Sequence, residues 1–235
     1  MDESLGELAD RFSQIADRYN EKHGSGENPI YNAYASLVVE HADPRPDDVV
    51  LDLGTGTGLI ALALAEDAGR VVGRDISDGM IEQARSKAAE AGIENVEFGY
   101  GEFRDPRYDG DVDTGSSETP RTDTRDARVD IVVSNFALHH LPDEEKREAI
   151  EAIADLNPKR FVLGDAMFFG SSEPDEPLFG HGVDGATVGM LVDVLTDVGF
   201  AVTAVERVHD QVGVLVAERR DAERAYDSPE DRQHR

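Results

Sequence analysis

The sequence contains no cysteine among its 235 residues. This absence excludes disulfides, thiolate metal sites and thiol catalysis. Long apolar runs are also missing, because LIALALA at 59–65 is far shorter than the roughly 20 residues that cross a bilayer. The start of the chain, MDESLGELAD, is acidic and amphipathic, which is unlike a signal peptide. We therefore expect a soluble, cytoplasmic protein without a membrane partner.

Basic residues are scarce: 23 lysines and arginines face 50 acidic residues, for a formal net charge of −27. Such self-repulsion opposes the compact state unless salt screens it, and the Debye length falls to about 3 Å in molar salt. This balance predicts the cytosol of a halophile. A disordered acidic protein is the alternative, but apolar periodicity runs through most of the chain. The negative charge also argues against a nucleic-acid backbone as partner.

Beyond residue 48, short apolar segments alternate with segments of helical period, which is typical of a parallel sheet covered on both faces. Two further strands follow, separated by only two residues, and so must form an antiparallel hairpin. The expected fold is α/β: a doubly wound, Rossmann-like sheet of seven mostly parallel strands ending in that hairpin. The predicted strands are 49–53, 71–75, 95–100, 129–135, 160–166, 201–208 and 211–219, and the helices begin at Gly58 or span 78–91, 143–156 and about 184–198.

Two helices precede this core. Leu5, Leu8 and Phe12 begin an apolar stripe with steps of three and four residues, which predicts a helix over 4–22. A second helix is expected to begin at Pro29 and to end near His41. We predict an N-terminal helical lid, a core with a polar insertion, and a polar tail, over residues 1–45, 46–220 (insertion 104–128) and 221–235.

The segment DLGTGTG, residues 52–58, closes the first core strand and opens a helix. In an open α/β sheet the ligand lies beyond the carboxyl ends of the strands. Gly54 and Gly56 permit a close approach of the backbone to that ligand, and the helix start near Gly58 favours an anion or carboxylate. The spacing GxGxG, with Asp52 two residues before the first glycine, departs from the GxGxxG of dinucleotide sites.

Acidic residues also follow the next two strands. Asp75 ends the second core strand, where a carboxylate can accept hydrogen bonds from both ribose hydroxyls of a nucleoside. Glu102 follows the third strand. With Asp52, these acids suit a ligand that carries an ammonium group, a ribose and an adenine amine better than a pyrophosphate. Asp75 or Glu102 could instead be a solvated surface acid in a protein rich in Asp and Glu, and the glycine loop could be an ordinary tight turn.

Four motifs occur in order: DLGTGTG, then VVGRDIS with MIEQAR, then GEF, then VDIVVSNFALHHL. Over about residues 30–220 they resemble the class I S-adenosylmethionine-dependent methyltransferases, and most closely a group of small, largely uncharacterised bacterial and archaeal methyltransferases. The resemblance implies S-adenosylmethionine as cofactor and an antiparallel seventh strand inserted beside the sixth. The stretch NPKRFV before the fifth strand, where many relatives have a Pro-Gly-Gly turn, and the insertion depart from the family pattern.

The resemblance also implies cofactor contacts, carried over residue by residue. The glycine loop lines the methionine moiety, with Asp52 near its amine, and the backbone at Asn135 flanks the same end. Asp75 binds the ribose, and Glu102, where the family usually has Asp, accepts from the adenine amine. The positions so implied are Asp52, Gly54, Thr55, Gly56, Gly58, Asp75, Ile76, Glu102, Phe103, Asn135 and Phe136.

Candidates for the acceptor side are fewer. His139 or His140 could act as a base or orient the substrate, and at most one of two neighbours on a turn is expected to face it. The alternative is that one ring is buried with its hydrogen bonds satisfied and the other is exposed. Tyr19 and Tyr31 are candidate lid residues, although Tyr19 could equally be a core contact. Asp165 is a candidate for the rim of the pocket. The histidines are too scattered to predict a metal site.

We therefore expect methyl transfer from S-adenosylmethionine to a small-molecule acceptor by in-line displacement. A non-catalytic, regulatory binder of S-adenosylmethionine or its product is an alternative that is compatible with every motif. The GxGxG spacing counts against an NAD-dependent oxidoreductase. A nucleic-acid methyltransferase that modifies exocyclic amines should carry a Pro-Pro-Tyr/Phe motif where this chain has SNFA. The acceptor and the oligomeric state, for which a homodimer is one candidate, are left open.

Overall fold

A single mixed sheet forms the centre of the protein. The computed structural model describes residues 5–23, 29–108, 128–170 and 185–219. The strands are β1 Val49–Leu53, β2 Arg70–Asp75, β3 Val96–Tyr100, β4 Ile131–Asn135, β5 Arg160–Phe168, β6 Ala186–Thr187, β7 Phe200–His209 and β8 Val212–Arg219. The helices are α1 Leu5–His23, α2 Pro29–Ala42, α3 Leu59–Leu64, α4 Asp78–Ala91, α5 Asp143–Asp155 and α6 Val188–Asp197, with a 3-10 turn at Leu138–His140.

The strand order is β3-β2-β1-β4-β5-β8-β7, with the two-residue β6 beside β5. The first five strands of this order are parallel, whereas β8 runs antiparallel to both β5 and β7. The predicted sheet and its closing hairpin are thus confirmed. Because the chain order reverses between β1 and β4, a crevice opens beyond the carboxyl ends of these two strands, where such folds bind ligands.

Apolar side chains fill both faces of the sheet. In β4, Val132 packs with α5 and α6 in one core cluster, and its neighbour Val133 packs with α2, α3 and α4 in the other. Phe161 and Val162 of β5 divide between the two clusters in the same way. Burial on both faces explains why these strands are apolar at nearly every position instead of alternating.

The element boundaries agree with the predicted ones to within a few residues, and β1 and α4 agree at both ends. Two differences have a physical cause. β5 continues past residue 166 to Phe168 because its last two residues pair with β6. α6 begins at Val188, later than predicted, because the side chain of Thr187 accepts a hydrogen bond from the backbone N–H of Met190 at 3.2 Å and so caps the helix.

The two N-terminal helices pack at different places. α2 lies against the sheet, where Val38 is fully buried. α1 packs on the first turn of α4, where the hydroxyls of Ser13 and Ser77 are 2.9 Å apart. No helix among the described segments is both long and apolar enough to cross a membrane. Most of the predicted insertion, at 109–127, and the whole tail at 221–235 lie outside the described residues.

Candidate functional site

A cavity lies at the carboxyl ends of β1, β2 and β4, and α1 forms one of its walls. It contains ten of the eleven predicted cofactor positions; the exception is Gly58. The residues that line it are Leu5, Leu8, Phe12, Asp52, Gly54, Thr55, Gly56, Thr57, Leu59, Ile60, Asp75, Ile76, Met80, Gly101, Glu102, Phe103, Arg104, Asn135, Phe136, Ala137, His140 and Leu141.

The glycine loop needs its glycines for two different reasons. Gly56 has a φ of +53°, and a Cβ at this position would meet no atom within 4 Å. The space beside it therefore belongs to the cavity. Gly58, with a φ of +83°, faces inwards, since a Cβ there would lie 3.0 Å from the ring of Phe98 and 3.1 Å from the Cβ of Ala84. Gly58 therefore holds the loop against the core.

The backbone N–H groups of the loop are used inside the protein. Gly54 and Thr55 donate to the carbonyl oxygen of Arg74 at 2.8 and 3.0 Å, and Gly58 donates to the carbonyl of Thr55 at 2.9 Å. Gly56 donates to Oδ2 of Asp75 at 2.7 Å. These four groups are not available to a pyrophosphate. The anion preference expected at the following helix also loses support, because α3 has only six residues.

Asp52 is buried with 1% of its surface exposed, and its Oδ2 accepts a hydrogen bond from Thr55 Oγ1 at 2.7 Å. Burial raises the pKa of this carboxyl to about 7, and the neighbouring Asp75 adds to the effect, while hydrogen bonds from Thr55 and the backbone of Ala61 oppose it. A cationic group in the cavity would favour the ionised form. The carboxyl group of Asp52 therefore suits an ammonium group of a ligand better than an anion.

Asp75 connects the glycine loop to α4. Its Oδ2 accepts from the backbone N–H of Gly56, and its Oδ1 accepts from that of Ser77 at 2.9 Å. Burial raises the pKa of this carboxyl too, against the hydrogen bonds from Ser77 and Gly56. Ser77 is the N-cap of α4 and accepts from the backbone of Met80 at 3.2 Å. The carboxylate is therefore fixed at the floor of the cavity.

Ile76, Glu102 and Phe103 line the cavity on the β2 and β3 side. The carboxylate of Glu102 accepts a hydrogen bond from the hydroxyl of Tyr100 at 2.7 Å. An apolar side chain, an aromatic ring and a carboxylate at one edge can contact a flat heterocycle and accept from its amine. The three positions that the resemblance places around an adenine are thus together in space.

Asn135 and Phe136 end β4 at the same cavity. Phe136 adopts a φ of +52°, which is uncommon for a residue other than glycine. Its backbone N–H donates to the carbonyl of Gly164 at 2.8 Å, and its ring meets that of Tyr34 edge-on at 5.3 Å between centroids. The side-chain oxygen of Asn135 is buried without a hydrogen-bond partner. The backbone reversal at Phe136 carries the chain into the turn that bears the histidines.

The two histidines occupy different environments. His139 is buried, and its Nδ1 lies 2.5 Å from Oδ1 of Asp165, whose Oδ2 accepts from the His139 backbone N–H at 3.1 Å. His140 lines the cavity and meets the ring of Phe12 edge-on at 5.2 Å between centroids. The imidazole rings are 4.0 Å apart. Burial lowers the pKa of His140 to about 3, with His139 and Arg11 adding to the effect and Asp165 opposing it.

The remaining predicted site residues are not among the described residues that line the cavity. Asp165 is absent from the lining of the cavity and lies beneath the turn instead. Tyr19 and Tyr31 fall within α1 and α2, but their side chains lie outside the described residues. Across the described ranges, no group of three or more His, Asp or Glu residues could hold a metal ion. Residues 1–45 were expected to form a helical lid, and the apolar face of α1 at Leu5, Leu8 and Phe12 lines the cavity. These three residues were predicted only as the apolar stripe of a helix and not as lid residues.

Comparison with known proteins agrees with this geometry. Residues 50–157, a little under half of the chain, match the family model described as a methyltransferase domain. Magnesium protoporphyrin IX methyltransferase of Synechocystis with bound S-adenosylmethionine aligns with a TM-score of 0.64 and 21% identity, over 92% of this chain and 97% of that one. The [4+2]-cyclase SpnF aligns with a TM-score of 0.71 and 16% identity, over the same shares. The chain has the fold of the class I S-adenosylmethionine-dependent methyltransferases.

Relatives by sequence lie among methyltransferases. An uncharacterised methyltransferase of Bacillus pumilus is 28% identical over 167 residues, which is 69% of this chain and 68% of that protein. The chain spans between about half and two thirds of the length of the first curated relatives that it matches. These relatives agree with the methyltransferase domain over residues 50–157.

Proposed function

We propose that this protein is an S-adenosylmethionine-dependent methyltransferase that acts on a small-molecule acceptor in the cytosol of a halophile. One observation carries the proposal: the glycine loop, Asp75 and Glu102 line one cavity while four N–H groups of the loop already donate within the protein. In that arrangement carboxylates can accept hydrogen bonds from a ribose and an amine, whereas the four N–H groups are not available to bind a pyrophosphate. The match to a methyltransferase domain supports the same function.

Each acidic residue of the cavity would bind a different part of the cofactor. Asp75 would hold the ribose hydroxyls, Glu102 the adenine amine, and Asp52 the ammonium group. When bound, S-adenosylmethionine would supply an activated methyl group, so the protein's task is to hold the acceptor in line with it and to exclude water. α1 serves the second purpose, because its apolar face closes one side of the cavity.

His140 is the candidate for orienting the acceptor. It is the only histidine among the described lining residues, and burial, which lowers its pKa to about 3, keeps the imidazole neutral at physiological pH. A neutral imidazole can accept a hydrogen bond from a hydroxyl of the acceptor and hold it in place, whereas a pKa this low makes it a weak base. His139 would act as a positioning residue, because its ring is held by Asp165 and contacts that of His140.

Isothermal titration with S-adenosylhomocysteine in concentrated KCl tests the proposal. Asp75→Ala should weaken binding by roughly 1.5–3 kcal/mol, the value of a hydrogen bond to a charged group. Asp78→Ala is the matched control: it removes the same charge three residues further on, from an exposed position at the start of α4 that does not line the cavity. Absence of binding by folded wild-type protein would refute the cofactor assignment, and an equal affinity of the Asp75 variant would refute the ribose assignment.

A second function, non-catalytic binding of S-adenosylmethionine, has the same cofactor site, so binding alone does not separate the two. Turnover does. Transfer of labelled methyl groups to any member of a panel of small molecules identifies an enzyme, and labelled cofactor that binds but never transfers identifies a binder. His140→Phe should retain binding of S-adenosylhomocysteine and lose transfer to hydroxyl acceptors.

A further inference from the structure

We propose that the acceptor of this methyltransferase is an uncharged, largely apolar molecule bound in the cavity beside α1 and the 3-10 turn at Leu138–His140. The inference rests on the proposed function and goes beyond it, because it names the chemical class of the acceptor. Three features of the cavity support it: its apolar walls, the sign of its charges, and the contact between Phe12 and His140.

The walls on this side of the cavity are apolar. Leu5, Leu8 and Phe12 are spaced three and four residues apart in α1, so they share one face of the helix, and all three line the cavity. Phe136 and Leu141 line it from the other side. A ligand held here loses contact with water on two sides, which favours apolar groups by roughly 25 cal/mol for each Å² that is buried.

The charges of the cavity are unsuited to an anion. Its charged lining residues, as far as the structure describes them, are three acids (Asp52, Asp75 and Glu102) and Arg104. The guanidinium of Arg104 is engaged outside the cavity, 3.1 Å from the carboxylate of Glu148 and 3.6 Å from that of Glu145. Arg11, whose guanidinium carbon lies 5.3 Å from the centre of the Phe12 ring, is close to this side but is not among the lining residues. An anionic acceptor would therefore give up its hydration beside acids without gaining a cation of the lining to pair with.

The polar group nearest the apolar walls is uncharged as well. His140 meets the ring of Phe12 at 5.2 Å, so a molecule held by Phe12 lies beside the imidazole. Because burial keeps this imidazole neutral, it offers an acceptor a hydrogen bond and no positive charge. A single polar group of the acceptor, such as a hydroxyl, can thus be positioned while the rest of the molecule is held by apolar contacts.

Two matched probes test this class. Benzyl alcohol and benzoate have the same ring and differ in charge, and their binding is measured by saturation-transfer NMR with protein saturated with S-adenosylhomocysteine in concentrated KCl. We expect benzyl alcohol to bind at least about tenfold more tightly than benzoate, a difference of about 1.4 kcal/mol. Phe12→Ala should abolish its binding. Gln14→Ala, at an exposed position of the same helix outside the cavity, should leave it unchanged.

The failures of the two proposals are distinguishable. Titration of S-adenosylhomocysteine into each variant reports the cofactor site, and circular dichroism reports folding. If the product binds but benzoate competes equally, neither probe binds, or Phe12→Ala binds benzyl alcohol as the wild type does, the acceptor class is wrong and the methyltransferase proposal stands. If S-adenosylhomocysteine itself does not bind to folded protein, the proposed function fails first.

Discussion

Asp52 is partly protonated near neutral pH, and a bound ammonium group should displace that proton. Its carboxyl is buried beside Asp75 and has a pKa of about 7, so it is close to half protonated at neutral pH without ligand. An ammonium group held in the cavity favours the ionised form and lowers this pKa. Binding of S-adenosylhomocysteine near pH 7 should therefore release a fraction of one proton. The release should disappear at a pH about two units higher, where the carboxyl is already ionised.

Calorimetry in buffers of different ionisation enthalpy measures this proton directly. Asp52→Asn is the control, because the amide keeps the size of the side chain and cannot ionise. Its binding heat should not depend on the buffer near pH 7. Proton uptake by the wild type, or the same release from the variant, would show that Asp52 does not face the ammonium group.

The low pKa of His140 should make the stability of the protein depend on pH. Its pKa of about 3 in the folded protein lies below the roughly 6.5 of an unfolded chain. Between these values the unfolded chain binds a proton at this position and the folded protein does not. The stability that neutral His140 contributes is therefore complete above pH ~6.5 and is lost as the pH falls towards the folded value.

Replacing the imidazole should remove that loss. The free energy of unfolding of His140→Phe, measured by chemical denaturation, should fall less than that of the wild type between pH ~6.5 and ~4. His140→Gln, which is also neutral, should show the same reduced slope. Identical slopes for all three proteins would mean that the imidazole is protonated in the folded state. The groups whose charges act on this ring are His139, Asp165 and Arg11, and none of them is altered.

Some of the site could be predicted from the residues and some could not. Asp75 and Glu102 follow strands, and the carboxyl ends of neighbouring parallel strands must meet, so their convergence was predictable. Which of two adjacent histidines faces the cavity depends on the rotation of a 3-10 turn. That rotation is fixed by Asp165, 26 residues away along the chain. Local sequence contains no information about such a contact.

At the scale of elements, α1 depends on one glycine for its position. Gly79 lies in the first turn of α4 and donates its N–H to Oγ of Ser13 at 3.3 Å. A Cβ at this glycine would lie 2.9 Å from the Cα and 3.0 Å from the carbonyl oxygen of Ser13. Gly79→Ala should therefore displace α1, although alanine favours the helical conformation of α4 itself.

Hydrogen exchange measured by mass spectrometry reports this displacement. The amides of α1 should exchange faster in Gly79→Ala, while those of β1 and β4 should keep their protection. Gly6→Ala is the matched control, because it is the same substitution within α1 at a position where a Cβ meets nothing within 4 Å. Slower exchange is expected there. Unchanged α1 amides in the Gly79 variant would show that α1 does not need this close contact.

The elements themselves were largely predictable, and their lateral contacts were not. β1 and α4 were correct at both ends because apolar runs, caps and glycines mark them locally. The extension of β5 depends on pairing with β6, and the docking of α1 depends on Gly79. Both are contacts between distant parts of the chain. A pattern of apolar residues predicts that an element will be buried but does not identify its partner.

For the whole molecule, fold and reaction are separate questions. The structure of the [4+2]-cyclase SpnF superposes with a TM-score of 0.71 and that of a porphyrin methyltransferase with 0.64, so one fold is shared by proteins named for different reactions. The proposal of methyl transfer therefore rests on the match to a methyltransferase domain and on the cavity, where Gly56 leaves open space beside the carboxylates. Turnover assays, not a closer superposition, decide the reaction.

The high negative charge of the whole molecule should make its stability depend on salt. The net charge is −27, so the acidic side chains on the surface repel one another, and salt screens that repulsion. Some pairs are less exposed to screening, since Lys159 lies 2.8 Å from Asp130 and 3.2 Å from Asp48, and both carboxylates are buried. Screening should therefore remove more repulsion than attraction, so the thermal unfolding midpoint should rise from dilute buffer to molar KCl.

A variant with fewer charges isolates the cause of this rise. Glu66→Gln and Asp67→Asn, made together, remove two adjacent exposed carboxylates just after α3 that do not line the cavity. The double variant should unfold at a higher temperature than the wild type in dilute buffer, and the difference should shrink in molar KCl because screening has already removed the repulsion. A midpoint that falls with salt, or a difference between the two proteins that persists in molar KCl, would show that general repulsion does not limit the stability of this fold.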